Sequence, residues 1–159
     1  MESEAKVRVS REVQQKIEEA IATGYAVEHS APVERAEHGR LCHIVRVSLP
    51  WPPSVNHCYQ PFGNKIVFSK IGRQYPKNVL AACLDQRAGR VIGKLTIRIW
   101  AYPPDLRTRD CDNLLKSPLD ALCKAGIFDN DGQVRRIEIE RCGVVKDGRL
   151  EVEIEGDEP

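Results

Sequence analysis

The stretch Leu95-Thr96-Ile97-Arg98-Ile99-Trp100-Ala101-Tyr102 decides the fold class. Leu95, Ile97 and Ile99 alternate with Thr96, Arg98 and Trp100, the period-2 pattern of a strand with one face in a core. Pro103 and Pro104 end it, because proline lacks a backbone donor and restricts the residue before it. Downstream, Leu115, Leu119 and Leu122 recur at i, i+4 and i+7 and predict a helix that closes at Gly126. Pro118 falls inside that span and either kinks the helix or sits at its first position behind Ser117. Residues 136–145 and 149–154 then read as a hairpin around Lys146-Asp147-Gly148.

Upstream of Leu95, residues 42–49 carry Ile44, Val45 and Val47 and suggest another strand, stopped by Pro50-Trp51-Pro52-Pro53-Ser54. Residues 65–68 read as a short strand. Ser69 caps a predicted helix to about Leu84, with Ile71, Tyr75, Val79 and Ala82 inward and Pro76 kinking it or shifting its start. Before residue 41, Ser10 caps a helix with Val13, Ile17, Ala20 and Ile21 on one face, and a polar connector follows. The reading is an N-terminal helical extension over 1–40 and a main domain over 41–159. The domain has the order β-β-α-β-α-β-β, a compact α+β fold with a mixed sheet and two helices, since there is no regular βαβ repetition.

Composition is that of an ordinary globular chain, 42% hydrophobic and 30% charged. No apolar run approaches the about 20 residues that span a bilayer. Met1-Glu2-Ser3-Glu4-Ala5-Lys6 has no apolar signal core, so a cytoplasmic location is expected. The six cysteines and four histidines show no metal-ligand spacing, which points to reduced, mostly buried thiols. The formal net charge of +1 hides an asymmetry: residues 64–116 hold eleven Lys/Arg against four Asp. A basic middle section of this kind can meet an anionic partner.

The chemistry-bearing residues cluster at the start of the second predicted helix. Asp110 and Asp112 flank Cys111, and two carboxylates about 4 Å apart repel by about 4 kcal/mol at an effective dielectric near 20. Exposure, protonation or a cation between them relieves that cost, and a hard divalent ion takes such oxygen ligands. Arg107 and Arg109 lie just before the pair. Lys116 lies one turn past Asp112 if the helix starts there, where an ammonium can stabilise charge on phosphate. Asp129-Asn130-Asp131-Gly132 follows the helix. Each piece also has a plainer reading. Asp112 serves equally as a helix cap, Lys116 as a charge balance, and Asp-Asn-Asp-Gly as a turn. The last is not an EF-hand loop, which needs a longer ligand series ending in Glu.

Three motifs tie these pieces together. Leu49-Pro50-Trp51-Pro52-Pro53-Ser54-Val55-Asn56 with Tyr59, then Arg109-Asp110-Cys111-Asp112-Asn113-Leu114-Leu115-Lys116 with Leu119-Asp120-Ala121-Leu122, then Asp131 with Gln133-Val134, resemble RusA-type Holliday-junction resolvases in order and spacing. The resemblance covers about residues 43–155. It implies a homodimeric, Mg²⁺-dependent endonuclease, with Mn²⁺ as a substitute, that cuts four-way DNA junctions in pairs during recombination or repair. Such enzymes are commonly encoded by phages or prophages. By position it assigns Asp110, Asp112 and Asp131 to the metal and Lys116 to the transition-state phosphate. The basic section, Lys70, Arg73, Arg107 and Arg109 within it, is assigned to DNA phosphates. Three departures stand out, the first being Pro118, which leaves the start of the central helix and the direction of Lys116 open. Residues 1–40 have no counterpart in the family pattern. Asn130 stands where an acidic residue is common, which makes Asp129 a second candidate for the role given to Asp131. Trp51 and Tyr59 read as core aromatics beside the prolines rather than as base-stacking platforms. Competing classes are a non-catalytic DNA-binding protein of the same fold and a sugar-nucleotide transferase using Asp-x-Asp. For the latter the chain offers no nucleotide-binding fold.

Overall fold

The computed structural model describes residues 41–157 throughout, with residues 11, 15, 16, 18, 19, 22, 31 and 33–35 before them. Arg11, Gln15, Lys16, Glu18, Glu19 and Ala22 are helical and exposed, while the expected apolar face of Val13, Ile17, Ala20 and Ile21 lies outside the described residues. Among the described residues no helix is long and apolar enough to cross a membrane, and no disulfide joins the six cysteines.

Among the described residues, seven strands and three further α-helices follow in order. They are β1 (Val33–Arg35), β2 (Leu41–Pro50), α1 (Val55–Cys58), β3 (Tyr59–Phe62), β4 (Lys65–Phe68), α2 (Lys70–Asp85), β5 (Leu95–Tyr102), α3 (Lys116–Lys124), β6 (Val134–Arg141) and β7 (Arg149–Asp157). Short 3₁₀ turns at Asp112–Leu114 and Asp131–Gln133 bracket α3. Five strands form a mixed sheet in the order β1-β2-β7-β5-β6, and β3 pairs with β4 apart from it. All neighbours are antiparallel except β5 and β6. A parallel pair needs a crossover connection, and α3 supplies it.

The alternation read at Leu95–Tyr102 becomes three rows across the sheet. Val45, Ile154 and Ile97 align, as do Val47, Val152 and Ile99, then Leu49, Leu150 and Ala101. All are buried, and Tyr75, Val79 and Cys83 of α2 join them with Ala121 and Leu122 of α3. The inward face of α2 therefore differs from the expected one, since Ile71 is exposed. Gly72 takes the close approach instead: a side chain there would run into the Cys58 carbonyl. Ser69 caps α2 as expected, accepting from Gly72 N at 3.0 Å, and the helix runs through Pro76. Pro118 is the third residue of α3, within the first turn, where backbone N–H groups lack intrahelical partners in any case. Gly126, at φ +79, closes α3 as read.

The other sheet face is laced with charge. Arg98 reaches Glu153 at 2.8 Å, Glu155 at 3.2 Å and Glu138 at 3.4 Å, and Arg46 reaches Glu153 at 2.7 Å and Glu34 at 3.0 Å.

The expected hairpin of the last two strands does not form. The turn is present, with positive φ at Asp147 and Gly148, but β5 lies between β6 and β7. The connection crosses the end of β5, where Cys142 N donates to Ala101 O and Val145 N to Pro103 O. Burial explains the sorting. Leu150, Val152 and Ile154 of β7 require a central strand, whereas β6 exposes Arg135, Arg136 and Ile137 and suits an edge. The polar connector also contributes structure. Ala31 is buried, its N–H donates to Arg90 O at 2.7 Å, and β1 falls within the segment assigned to the extension.

Candidate active site

Asp110 and Asp112 stand on the segment that leaves β5 and enters α3. The segment is clamped from within. Arg109 donates to both carboxylate oxygens of Asp105, at 2.7 and 2.9 Å, and the Arg107 backbone N–H donates to the same group at 2.9 Å. These bonds hold the Asp105 carboxyl down at about 2. The Arg109 guanidinium also lies 5.6 Å over the Trp51 ring, and Arg141 Nη1 donates to Arg109 O at 3.2 Å. Arg109, read as a phosphate contact, is thus committed to Asp105 and Trp51 and keeps the Asp110 backbone in place. Arg107 is its exposed neighbour, 3.8 Å from Asp105. Trp51 is half-buried against the core, as its prolines suggested.

Beside this clamp a cleft is lined by Trp51, Asn56, Arg109, Asp110 and Asn113. Asn56 and Asn113 were legible only as motif members; the fold sets their side chains beside Asp110. Lys116 opens α3, and its Nζ lies 3.5 Å from Asp120 Oδ2. Asp112 is not the start of that helix but of the 3₁₀ turn before it, and Leu115 N donates to Asp112 O at 3.1 Å.

Asp131 begins the second 3₁₀ turn, beyond the other end of α3. Gln133 fixes this turn: its Oε1 accepts from Asp129 N at 2.8 Å and Asn130 N at 3.2 Å, and its Nε2 donates to Gly93 O at 2.9 Å. Burial, then the nearby carboxylates of Asp131, Asp120 and Asp129, push the Cys123 thiol up. Asp129 is ion-paired with Arg90. Arg109, next to Asp110, touches the last residue of β6, whereas Asp131 precedes the first. Eight strand residues span about 25 Å. A single chain therefore does not gather the three carboxylates, and among the described residues no group of three His, Cys, Asp or Glu side chains stands close enough to hold a metal ion.

The aspartates from 105 to 131 divide into two sets. Asp105, Asp120 and Asp129 each pair with a cation. The carboxylates of Asp110, Asp112 and Asp131 are exposed and have no hydrogen-bond or ion-pair partner among the described residues. Hard, unpartnered carboxylate oxygens are the donor type that a divalent cation takes. Lys70 and Arg73 are exposed on the first turn of α2, with Arg73 Nη1 donating to Phe68 O at 3.0 Å.

The family described as endodeoxyribonuclease RusA matches the chain over residues 50–155. A crossover junction endodeoxyribonuclease RusA of Escherichia coli (strain K12) is 40% identical over 111 residues, covering 68% of this chain and 91% of its own length. The protein of the same name from Enterobacteria phage 82 is equally similar over the same span, and one from Escherichia coli O139:H28 is 38% identical.

Proposed function

This chain belongs to the RusA family of endodeoxyribonucleases, and from that membership we propose that it resolves four-way DNA junctions by paired, Mg²⁺-dependent cuts. It is a nuclease of branched DNA, of a kind that hosts and phages both encode. The observation that carries the site assignment is the sorting of its aspartates. Asp110, Asp112 and Asp131 are the ones left without a cation. Asp129 spends its charge on Arg90, which favours Asp131 for the third carboxylate.

Mg²⁺, with Mn²⁺ as its substitute, would be held by these carboxylates and would supply charge neutralisation at the phosphate and an acidified water. The protein's part is to keep Asp110 presented through the Asp105–Arg109–Trp51 clamp, with Asn56 and Asn113 beside it. Lys116 would leave Asp120 for a non-bridging phosphate oxygen, whose charge grows as the water attacks. Because Asp131 lies at the far end of β6 from Asp110, the site would be completed by a second copy of the chain. A two-fold homodimer then holds two composite sites, the number that paired incision needs.

Asp112→Asn tests this reading. The variant should bind a synthetic four-way junction within a few-fold of wild type and cut it at least about 10³-fold more slowly, given the several kcal/mol that metal catalysis contributes. Unchanged cutting, or cutting by wild type in excess chelator, would remove the metal site from the account.

A further inference from the structure

The β3–β4 hairpin has no role in the site as described. Its base is held firmly. Ser69 N donates to Cys58 O at 2.9 Å, Ser69 Oγ to His57 O at 2.5 Å, and the Tyr59 and Phe68 rings pack with centroids 4.8 Å apart. Its tip, by contrast, is open. Phe62 is 72% exposed and Ile66 78%, either side of the Gly63-Asn64 turn. Directly opposed residues of an antiparallel pair point to the same face, and Phe62 opposes Lys65 while Ile66 opposes Pro61. Phe62 and Ile66 therefore project from opposite faces of the ribbon, so that the tip is a thin blade with one exposed apolar side chain on each side, Lys65 lying beside Phe62.

The charge along its own stretch of chain has one sign. From Tyr59 to Leu84 the chain carries Lys65, Lys70, Arg73 and Lys77 and no Asp or Glu. Lys124 adds its ammonium over the Phe68 ring at 5.5 Å. At the hairpin base one carboxylate, Asp120, sits among these cations and is paired with Lys116; apolar side chains with a cationic surround of this kind match a partner with stacked flat bases and an anionic backbone. The hairpin base also adjoins the start of α3, where Cys58 Sγ and Ser117 Oγ are 3.3 Å apart next to Lys116. Four strand residues reach about 13 Å, or roughly four nucleotide steps of about 3.4 Å along one strand.

We propose that the β3–β4 hairpin is a wedge: Phe62 and Ile66 enter the opening at the branch point of the DNA, unstacking the bases there, while the flanking lysines and Arg73 hold the adjoining phosphates. This rests on the junction-nuclease reading and adds to it a device that distinguishes a branch from a duplex. Apolar wedges between base steps are an established way to trade stacking for a distorted, better-held DNA.

The test uses the full chain and a four-way junction carrying 2-aminopurine beside the branch point, with Ca²⁺ for the binding arm and Mg²⁺ for the cutting arm. Wild type should raise 2-aminopurine emission several-fold. The F62A/I66A double variant alters only exposed side chains. It should lose that rise and cut the junction at least tenfold more slowly, yet bind linear duplex within twofold of wild type. Retained emission and cutting in the double variant would overturn the wedge. So would loss of self-association in sedimentation, which would make the blade a contact between protein chains. Wild type that cuts no junction but still raises the emission would retire the nuclease reading and leave insertion standing.

Discussion

Lys116 illustrates how single residues prepare for chemistry without yet performing it. Its ammonium sits 3.5 Å from Asp120, both groups largely exposed, and such exposed pairs contribute little and exchange readily. A phosphate oxygen brought to the start of α3 can therefore replace Asp120 at small cost. Lys116→Ala should lower single-turnover cutting by about 10²-fold, on the scale of one lost charge-stabilising donor, while junction affinity changes less than threefold. Equal losses in both would reassign Lys116 to binding. Asp105 is the opposite case, a carboxylate fully engaged. Its folded pKa of about 2 lies below the ordinary carboxylate range, so its stabilising contribution is complete above pH 4 and is lost as pH falls toward 2. A thermal-unfolding series from pH 6 to pH 2 should accordingly show Asp105→Asn and wild type converging at the acid end. A gap that widens toward pH 2 would contradict the assignment. At this scale the sequence was partly readable. Asp110, Asp112 and Lys116 were visible from their motif. The commitment of Arg109 to Asp105 and Trp51 was not, because no spacing rule brings residue 51 beneath residue 109.

Secondary elements were legible where one period dominated. The strand at Leu95–Tyr102 and the helix ending at Gly126 follow from alternation and from a left-handed glycine. The partner of β6 was not legible, because the turn at Asp147-Gly148 has the backbone of a hairpin while the connection before it is long enough to cross β5. Burial decides between those outcomes, and it is a property of the whole sheet. The α2 face shifted for a similar reason, since the Cys58 carbonyl admits only a glycine at 72. Gly72→Ala should loosen the hairpin base without unfolding the sheet. Hydrogen exchange in residues 59–68 should rise by an order of magnitude or more, with β5 and β7 protection kept. Unaltered exchange there would mean that the hairpin is anchored by other contacts. On the open sheet face, Arg98→Ala would leave Glu138, Glu153 and Glu155 without their shared cation. Its melting temperature should fall below that of wild type, more at 10 mM than at 500 mM salt, because like-charge repulsion is screened. A salt-independent difference would indicate lost packing instead.

At the scale of the whole molecule, α2 and α3 pack on one sheet face to bury the core and leave the reaction to the margins. The Asp110 clamp and the Asp131 turn lie at opposite ends of β6, and Asp110 and Asp131 are both exposed. The motifs did not reveal this separation because the expected β6–β7 hairpin hid the parallel β5–β6 pairing, which sets the segment after β5 and the turn before β6 at opposite ends. Complementation between defective chains resolves it directly. Asp112→Asn and Asp131→Asn chains, each inactive alone, are co-expressed with different tags and purified as the mixed dimer. If each site joins Asp110 and Asp112 of one copy to Asp131 of the other, the mixed dimer retains one intact site and should nick one strand of a four-way junction in Mg²⁺. A mixed dimer as inactive as its parents would contradict the shared site.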